Sequence, residues 1–133
     1  DGALIYEAAT IATRISGFVN APSLMQKVVA QCLDAKTDLA AYDRNRKLLY
    51  TSLLSYGFTC IKPEGAFYLF VKSPVEDEKE FCTRAKKYNL LLVPGSSFGC
   101  PGFVRLAYCV AYDTIVRSLP KFEKLAAEYR EME

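Results

Sequence analysis

The stretch "VPGSSFGCPGFVRLAYCV", residues 93–110, decides the fold because it runs from a short apolar segment through a glycine- and proline-rich loop into a predicted strand. Alternate residues of a strand point to opposite faces, so residues 103–110 divide into two sets. The apolar set, which predicts a core face, is Val104, Leu106, Tyr108 and Val110. The other set is Phe103, Arg105, Ala107 and Cys109, and it carries one charge.

Two interpretations of Arg105 follow from the residues alone. The first places its guanidinium on the solvent side of a half-exposed sheet, with its stem lying on apolar neighbours. The second is a carboxylate site, because a planar guanidinium offers paired donors that hold a carboxylate bidentately. No acid lies nearby in the strand, so the anion is either a ligand or a sequence-distant Asp or Glu.

Outward from this stretch, the sequence predicts an α/β chain of the α+β type, in which three helices precede a small β-β-α-β-β-α sheet with helices packed on it. The predicted helices span residues 3–15, 20–33, 37–56, 75–89 and 113–130, and the predicted strands span 58–62, 66–71, 90–93 and 103–110. Pro120 predicts a kink or a split in the last helix. The best candidate boundary between two domains lies at residues 33–36.

Helix starts and ends have recognisable signals. Asn20 is predicted as the N-cap of the second helix, with Pro22 in its first turn. Ser73 and Glu76 have the spacing of a capping box ahead of the fourth helix. Asn89 is predicted to end that helix in a left-handed conformation.

Composition excludes several functions. The chain has no histidine, which removes Ser-His-Asp and Cys-His catalysis and most catalytic zinc sites. Five widely spaced cysteines without a C-x-x-C pair predict reduced thiols in a cytoplasmic protein and no metal site. A net charge of +2 without a basic stripe argues against nucleic acid, and no apolar run is long enough to predict a membrane span or a signal region.

Other candidate sites have simpler interpretations. The loop at residues 94–99 lacks the Lys-Ser/Thr of a nucleotide P-loop and leads into a strand, which favours a tight connection over a phosphate site. The acidic residues between 76 and 80 are predicted to be a solvated helix start, where negative charge suits the helix dipole. The aromatic residues Phe67, Tyr68 and Phe70 are predicted to lie in the core.

Five segments together resemble the C-terminal part of a class I/II, fold type I aminotransferase dependent on pyridoxal phosphate. They are "FVNAPSLMQ", "YDRNRKLLY", "KPEGAFYLFVKSP", "LLLVPGSSFGCPGFVRLAYCV" and "TIVRSLPKF". The resemblance covers residues 17–122, and P-x-G-A-F-Y, V-P-G-x-x-F-G and R-L-x-Y-C in this order are together highly specific for that family.

The resemblance implies roles for four residues. Arg105 would hold the α-carboxylate of the amino-acid substrate, Phe67 would line the mouth of the same site, and the loop at Gly95 and Ser96 would approach it. Residues 1–36 would be the tail of the large cofactor-binding domain, and residues 37–133 the small domain that closes over substrate. The Schiff-base lysine and the other cofactor-binding groups would lie in the large domain, so no catalytic, cofactor-binding or metal residue is assigned in this chain.

The resemblance predicts a parent protein that moves an amino group between an amino acid and a 2-oxo acid and that forms a homodimer. The start at Asp1 without methionine suggests a piece of something longer, which alone is predicted to catalyse nothing and to self-associate through the apolar helix at residues 3–15. Two alternatives remain open. One is a fold type I lyase acting on amino acids, and the other is a stand-alone carboxylate-binding regulatory α/β module.

Overall fold

The computed structural model describes residues 1–65 and 67–131, which fall into two compact units, Asp1–Thr37 and Asp38–Glu133. The assignment of these units to parts of a large and a small domain stays a prediction.

The first unit contains helices α1 (Gly2–Ile15) and α2 (Ser23–Gln31), and neither helix has a buried residue. The predicted cap at Asn20 is wrong. Helix α2 begins at Ser23 with Pro22 in the N-cap position, because the Pro22 carbonyl already accepts the first helical hydrogen bond, from the N–H of Gln26 at 3.0 Å.

The second unit has the predicted α+β architecture. Its elements are α3 (Leu39–Ser55), β1 (Tyr68–Lys72), α4 (Glu78–Lys86), β2 (Val93–Pro94), a 3₁₀ turn (Gly95–Phe98), β3 (Phe103–Ala107) and α5 (Tyr112–Arg130). The strands form an antiparallel sheet in the order β1-β3-β2. One face of this sheet packs with all three helices into a single core, so β3 lies at the centre of the sheet and of the unit.

Two predicted strands are wrong in extent. Residues 58–62 form only a single bridge, between Cys60 and Val71, because Pro63 has no N–H with which to continue the ladder. The segment predicted at 90–93 pairs only at Val93 and Pro94. The observed order in the second unit is therefore α-β-α-β-β-α.

The start of α4 also differs from its prediction. The Asp77 carboxylate caps the helix by accepting from the N–H of Lys79 at 2.9 Å, whereas the Ser73 hydroxyl accepts from the N–H of Val75 in a local turn. The predicted capping box is therefore wrong, because the chain first turns at residues 73–77. The predicted left-handed residue after α4 is confirmed, since Asn89 has a φ of 56°.

Helix α5 runs unbroken through Pro120. The predicted split is therefore absent. Pro120 and Val116, whose carbonyl loses its helical partner, are both exposed, so water can replace the missing hydrogen bond.

The predicted alternation along β3 is confirmed for Val104, Leu106 and Tyr108, which are all buried. Val110 is exposed, because β3 ends at Ala107. The prediction that the aromatic residues around β1 lie in the core is wrong. Leu69 and Val71 are the buried residues of this strand, and their aromatic neighbours stand on its other side or beyond its end.

Candidate functional site

Arg105 occupies the middle of the central strand. It lies opposite Phe70 of β1 and opposite Val93 of β2. Directly paired residues of antiparallel strands share a face, so the side chain of Arg105 stands on the face that the core leaves open. Pairing on both sides fixes its backbone more firmly than an edge strand would.

Two aromatic rings lie against the guanidinium of Arg105. Its Cζ is 4.2 Å from the centroid of the Tyr68 ring and 3.8 Å from the centroid of the Phe98 ring. Tyr68 belongs to β1, and Phe98 belongs to the 3₁₀ turn that follows β2, so the rings come from the two sides of β3. Both distances are within the range of a cation–π interaction.

Arg105 has no carboxylate partner among residues 1–65 and 67–131. The ion pairs in this part of the chain join Asp43 to Arg46 and Lys47, and Arg84 to Glu80 and Glu128. The sequence-distant acid that would neutralise Arg105 is therefore absent from the described residues. A planar carboxylate matches the paired donors of a guanidinium, so this side chain has the chemistry to bind one.

The loop that carries Phe98 is closely packed at its first residue. Gly95 is buried, and a Cβ built on it would lie 2.6 Å from the carbonyl oxygen of Phe103 and closer still to that of Cys100. The N–H of Cys100 donates to the Gly95 carbonyl at 3.0 Å, and Gly99 adopts a left-handed φ of 70°. The loop is thus a tight connection that requires glycine, and it brings the Phe98 ring to Arg105.

Ser96 contacts α4. Hydrogen bonds from the Ser96 hydroxyl and from the N–H of Gly102 lower the pKa of Glu78. The Gly102 nitrogen lies 3.2 Å from Oε2 of Glu78. Glu78 is buried, so the prediction of a solvated helix start is wrong at this residue, whose carboxylate joins α4 to the loop.

Phe67 lies in a different environment. Its ring, which is 46 % exposed, makes an edge-on contact with Tyr42 of α3 at 5.6 Å between centroids. It lines a cavity of about 380 Å³ together with Tyr108 and with residues of α3 and of the 64–65 turn. The loop that begins at Gly95 therefore reaches Arg105 through the ring of Phe98. Phe67 instead lies beside α3.

Asn45 is a buried polar residue that the sequence pattern did not reveal. Its Nδ2 donates to the carbonyl oxygens of Tyr108 at 3.0 Å and Val110 at 2.8 Å. These bonds tie α3 to the chain just beyond β3. A single asparagine between two arginines on a helix gives no sequence signal of such a bond.

No group of three or more His, Cys, Asp or Glu side chains in the described part of the chain is placed to hold a metal ion. Within the same residues, every helix is too short or too polar to cross a membrane.

The second unit is thus an α+β domain with Arg105 on the open face of its central strand, between two aromatic rings. Residues 3–119 match the aminotransferase class I and II family, and the chain belongs to that family. The predicted resemblance is confirmed.

Solved structures of aminotransferases resemble the chain. The crystal structure of an amino transferase from Eubacterium rectale shares 46 % identity with a TM-score of 0.81, covering 97 % of this chain and 32 % of that one. The aspartate aminotransferase from Thermus thermophilus with maleate shares 31 % identity with a TM-score of 0.62, covering 65 % of this chain and 23 % of that one.

Similar curated proteins include two aminotransferases. The aspartate aminotransferase of Pyrococcus abyssi is 37 % identical and the aromatic-amino-acid aminotransferase 2 of Thermococcus litoralis 36 % identical, each in an alignment of 92 residues that covers 65 % of this chain. The chain spans 24 % of the length of either relative.

Proposed function

We propose that this chain is the substrate-closing part of a pyridoxal-phosphate-dependent aminotransferase, and that Arg105 binds the α-carboxylate of its substrates. The observation that carries the proposal is the placement of Arg105 on the central strand, where no described carboxylate forms an ion pair with it. An arginine left without an internal partner beside half-exposed aromatic rings is suited to an incoming anion.

One arginine can serve both halves of a transamination. The amino acid and the 2-oxo acid differ at Cα but carry the same carboxylate, so a bidentate contact orients both in one way. The structural relative from Thermus thermophilus was crystallised with maleate, a dicarboxylate, which supports a carboxylate ligand at the corresponding fold. In this proposal Arg105 binds and orients substrate, and it makes or breaks no bond.

Pyridoxal phosphate supplies an electron sink when it is bound. The lysines of this chain do not fit its attachment, because nine of the ten are exposed and the tenth, Lys121, is half-buried on α5. We therefore assign cofactor binding and proton transfer to other parts of the full-length protein. Residues 37–133 act in this proposal as the small domain of a cytoplasmic homodimer, and the chain alone is inactive.

The first test compares Arg105→Ala with wild type in the full-length holoenzyme. L-Aspartate and L-phenylalanine are suitable donors, because relatives are named for aspartate and aromatic amino acids. Loss of a bidentate carboxylate contact should lower kcat/KM by about a hundredfold. Arg105→Lys should recover only part of this loss, since an ammonium keeps the charge and lacks the planar pair of donors.

Arg44 offers a matched control. Its Cζ lies 4.1 Å from the centroid of the Tyr112 ring, so Arg44→Ala also removes an arginine from an aromatic ring. This variant should keep the wild-type kcat/KM. A second control is a primary amine without a carboxylate, whose slow reaction Arg105→Ala should leave unchanged.

Near-normal activity of Arg105→Ala with amino acids would refute the carboxylate role. Analysis of products separates the remaining functions. A new amino acid formed from the added 2-oxo acid indicates transamination, and breakdown of the donor without it indicates a lyase. Specific amino-acid binding by the chain alone would favour a regulatory module.

A further inference from the structure

The rings of Tyr68 and Phe98 are not required by the core. Tyr68 is 40 % exposed and Phe98 47 % exposed, while the buried residues of β1 are Leu69 and Val71. Large aromatic side chains on an open sheet face lose part of the benefit of burial. Their common feature is contact with the guanidinium of Arg105.

Both rings are held by backbone structure. Tyr68 pairs with Ala107 in the β1–β3 ladder, which sets it diagonally across from Arg105 on the same face. Phe98 ends the 3₁₀ turn, whose first residue is packed against the carbonyl oxygens of Cys100 and Phe103. The rings therefore have fixed positions against which a long and otherwise flexible side chain can rest.

We propose that Tyr68 and Phe98 are positioning residues that hold the Arg105 guanidinium in the orientation that selects a planar carboxylate. This inference rests on the proposed function of Arg105. Two rings from opposite sides of β3 restrict the rotation of the guanidinium, and the donors that remain free form one fork. A carboxylate can place both oxygens on that fork, whereas the three oxygens of a phosphonate are arranged tetrahedrally and gain less from a fixed plane.

The test uses the full-length holoenzyme and measures KM and kcat for L-aspartate or L-phenylalanine, together with Ki for the matching α-aminophosphonate. Phe98→Leu and Tyr68→Leu should each raise KM about fivefold, as expected for loss of one cation–π contact, with kcat within about twofold of wild type. The ratio of Ki for the α-aminophosphonate to KM for the amino acid should fall by a similar factor.

Conservative variants of Phe98 and Tyr68 show whether the aromatic ring itself determines KM. Phe98→Tyr and Tyr68→Phe keep a ring beside Arg105 and should retain the wild-type KM. Tyr112→Leu removes the ring beside Arg44 and should also leave KM unchanged. Thermal unfolding of each variant shows whether the fold is intact, and a general loss of structure would lower kcat as well as raise KM.

The outcomes distinguish this inference from the function on which it rests. If Arg105→Ala retains activity, the proposed function itself is wrong. If Arg105→Ala loses about a hundredfold in kcat/KM while both leucine variants keep the wild-type KM and selectivity, only the positioning role is overturned. A raised KM in the leucine variants, restored in the aromatic ones, is the expected result.

Discussion

The two faces of the sheet are built in different ways, although they alternate residue by residue along the same strands. Leu69, Val104 and Leu106 on one face are at most 6 % exposed and pack with the helices. On the other face Arg105 stands among partly exposed rings. Burial explains the residues of the first face, whereas the arginine and the rings of the second face need another explanation, which in our proposal is ligand binding.

The largest expected effect lies on the core face. Leu69→Ala should lower the free energy of unfolding by about 3 kcal/mol, because Leu69 is 1 % exposed and its removal leaves a cavity. Tyr68→Ala, one residue away on the open face, should lower it by less than about 1 kcal/mol. Urea denaturation of the chain measures both, and equal losses would erase the distinction between the faces.

A somewhat smaller effect is expected at Asn45, which ties α3 to the chain beyond β3. Asn45→Ala removes both donated hydrogen bonds and leaves the Tyr108 carbonyl without this partner, so it should lower the free energy of unfolding by about 2 kcal/mol. The same denaturation measurement on Asn20→Ala, at an exposed position, should show little change. An equally small change for Asn45→Ala would show that these bonds do not stabilise the fold.

A substitution at Gly95 tests how closely the loop on the open face is packed. Gly95→Ala should destabilise the chain by about 1–2 kcal/mol, since the added Cβ meets the carbonyl oxygens of Cys100 and Phe103. Gly65→Ala is its matched control, because a Cβ on Gly65 meets nothing within 4 Å. Thermal unfolding of both variants checks the difference, and a wild-type Tm for Gly95→Ala would contradict the close packing of this loop.

The smallest effect concerns pH. The pKa of Glu78 is lowered below its ordinary value of 4.5, because the Ser96 hydroxyl and the Gly102 N–H donate to its carboxylate. A group whose pKa is lowered by folding contributes stability above its unfolded pKa, and this contribution is lost as the pH falls through the folded pKa. Stability measured below pH 4.5 should therefore fall less steeply in Glu78→Gln than in wild type. Identical slopes would show that Glu78 does not link α4 to the loop.

The sequence predicted what short-range patterns determine. Alternation placed Val104 and Leu106 in the core and Arg105 on the other face, and Asn89 was predicted as a left-handed residue. These features depend on a strand's period of two and on local backbone preferences. The class of fold followed from the order of such segments and is confirmed.

Other features depend on tertiary partners that spacing does not reveal. The strand predicted at 58–62 failed because a ladder requires a donor that Pro63 lacks. The contact of Phe98 with Arg105 depends on how the loop folds over β3, and the buried Asn45 on carbonyls more than sixty positions away. Sequence reasoning named Arg105 but missed the residues around it, because their roles arise only once the sheet has formed.

The two strands beside β3 differ in how readily they separate from it. The ladder between β1 and β3 has five residue pairs, whereas β2 contributes only two. Short edge strands separate in local fluctuations far more often than central ones do. An opening at β2 would carry the turn and Phe98 away while β1 still holds β3, so amide exchange should be fast in the loop and slow at Leu106, whose N–H faces β1. Phe98, at the entrance to the site, can thus move while β1 holds the strand that carries the charge of Arg105.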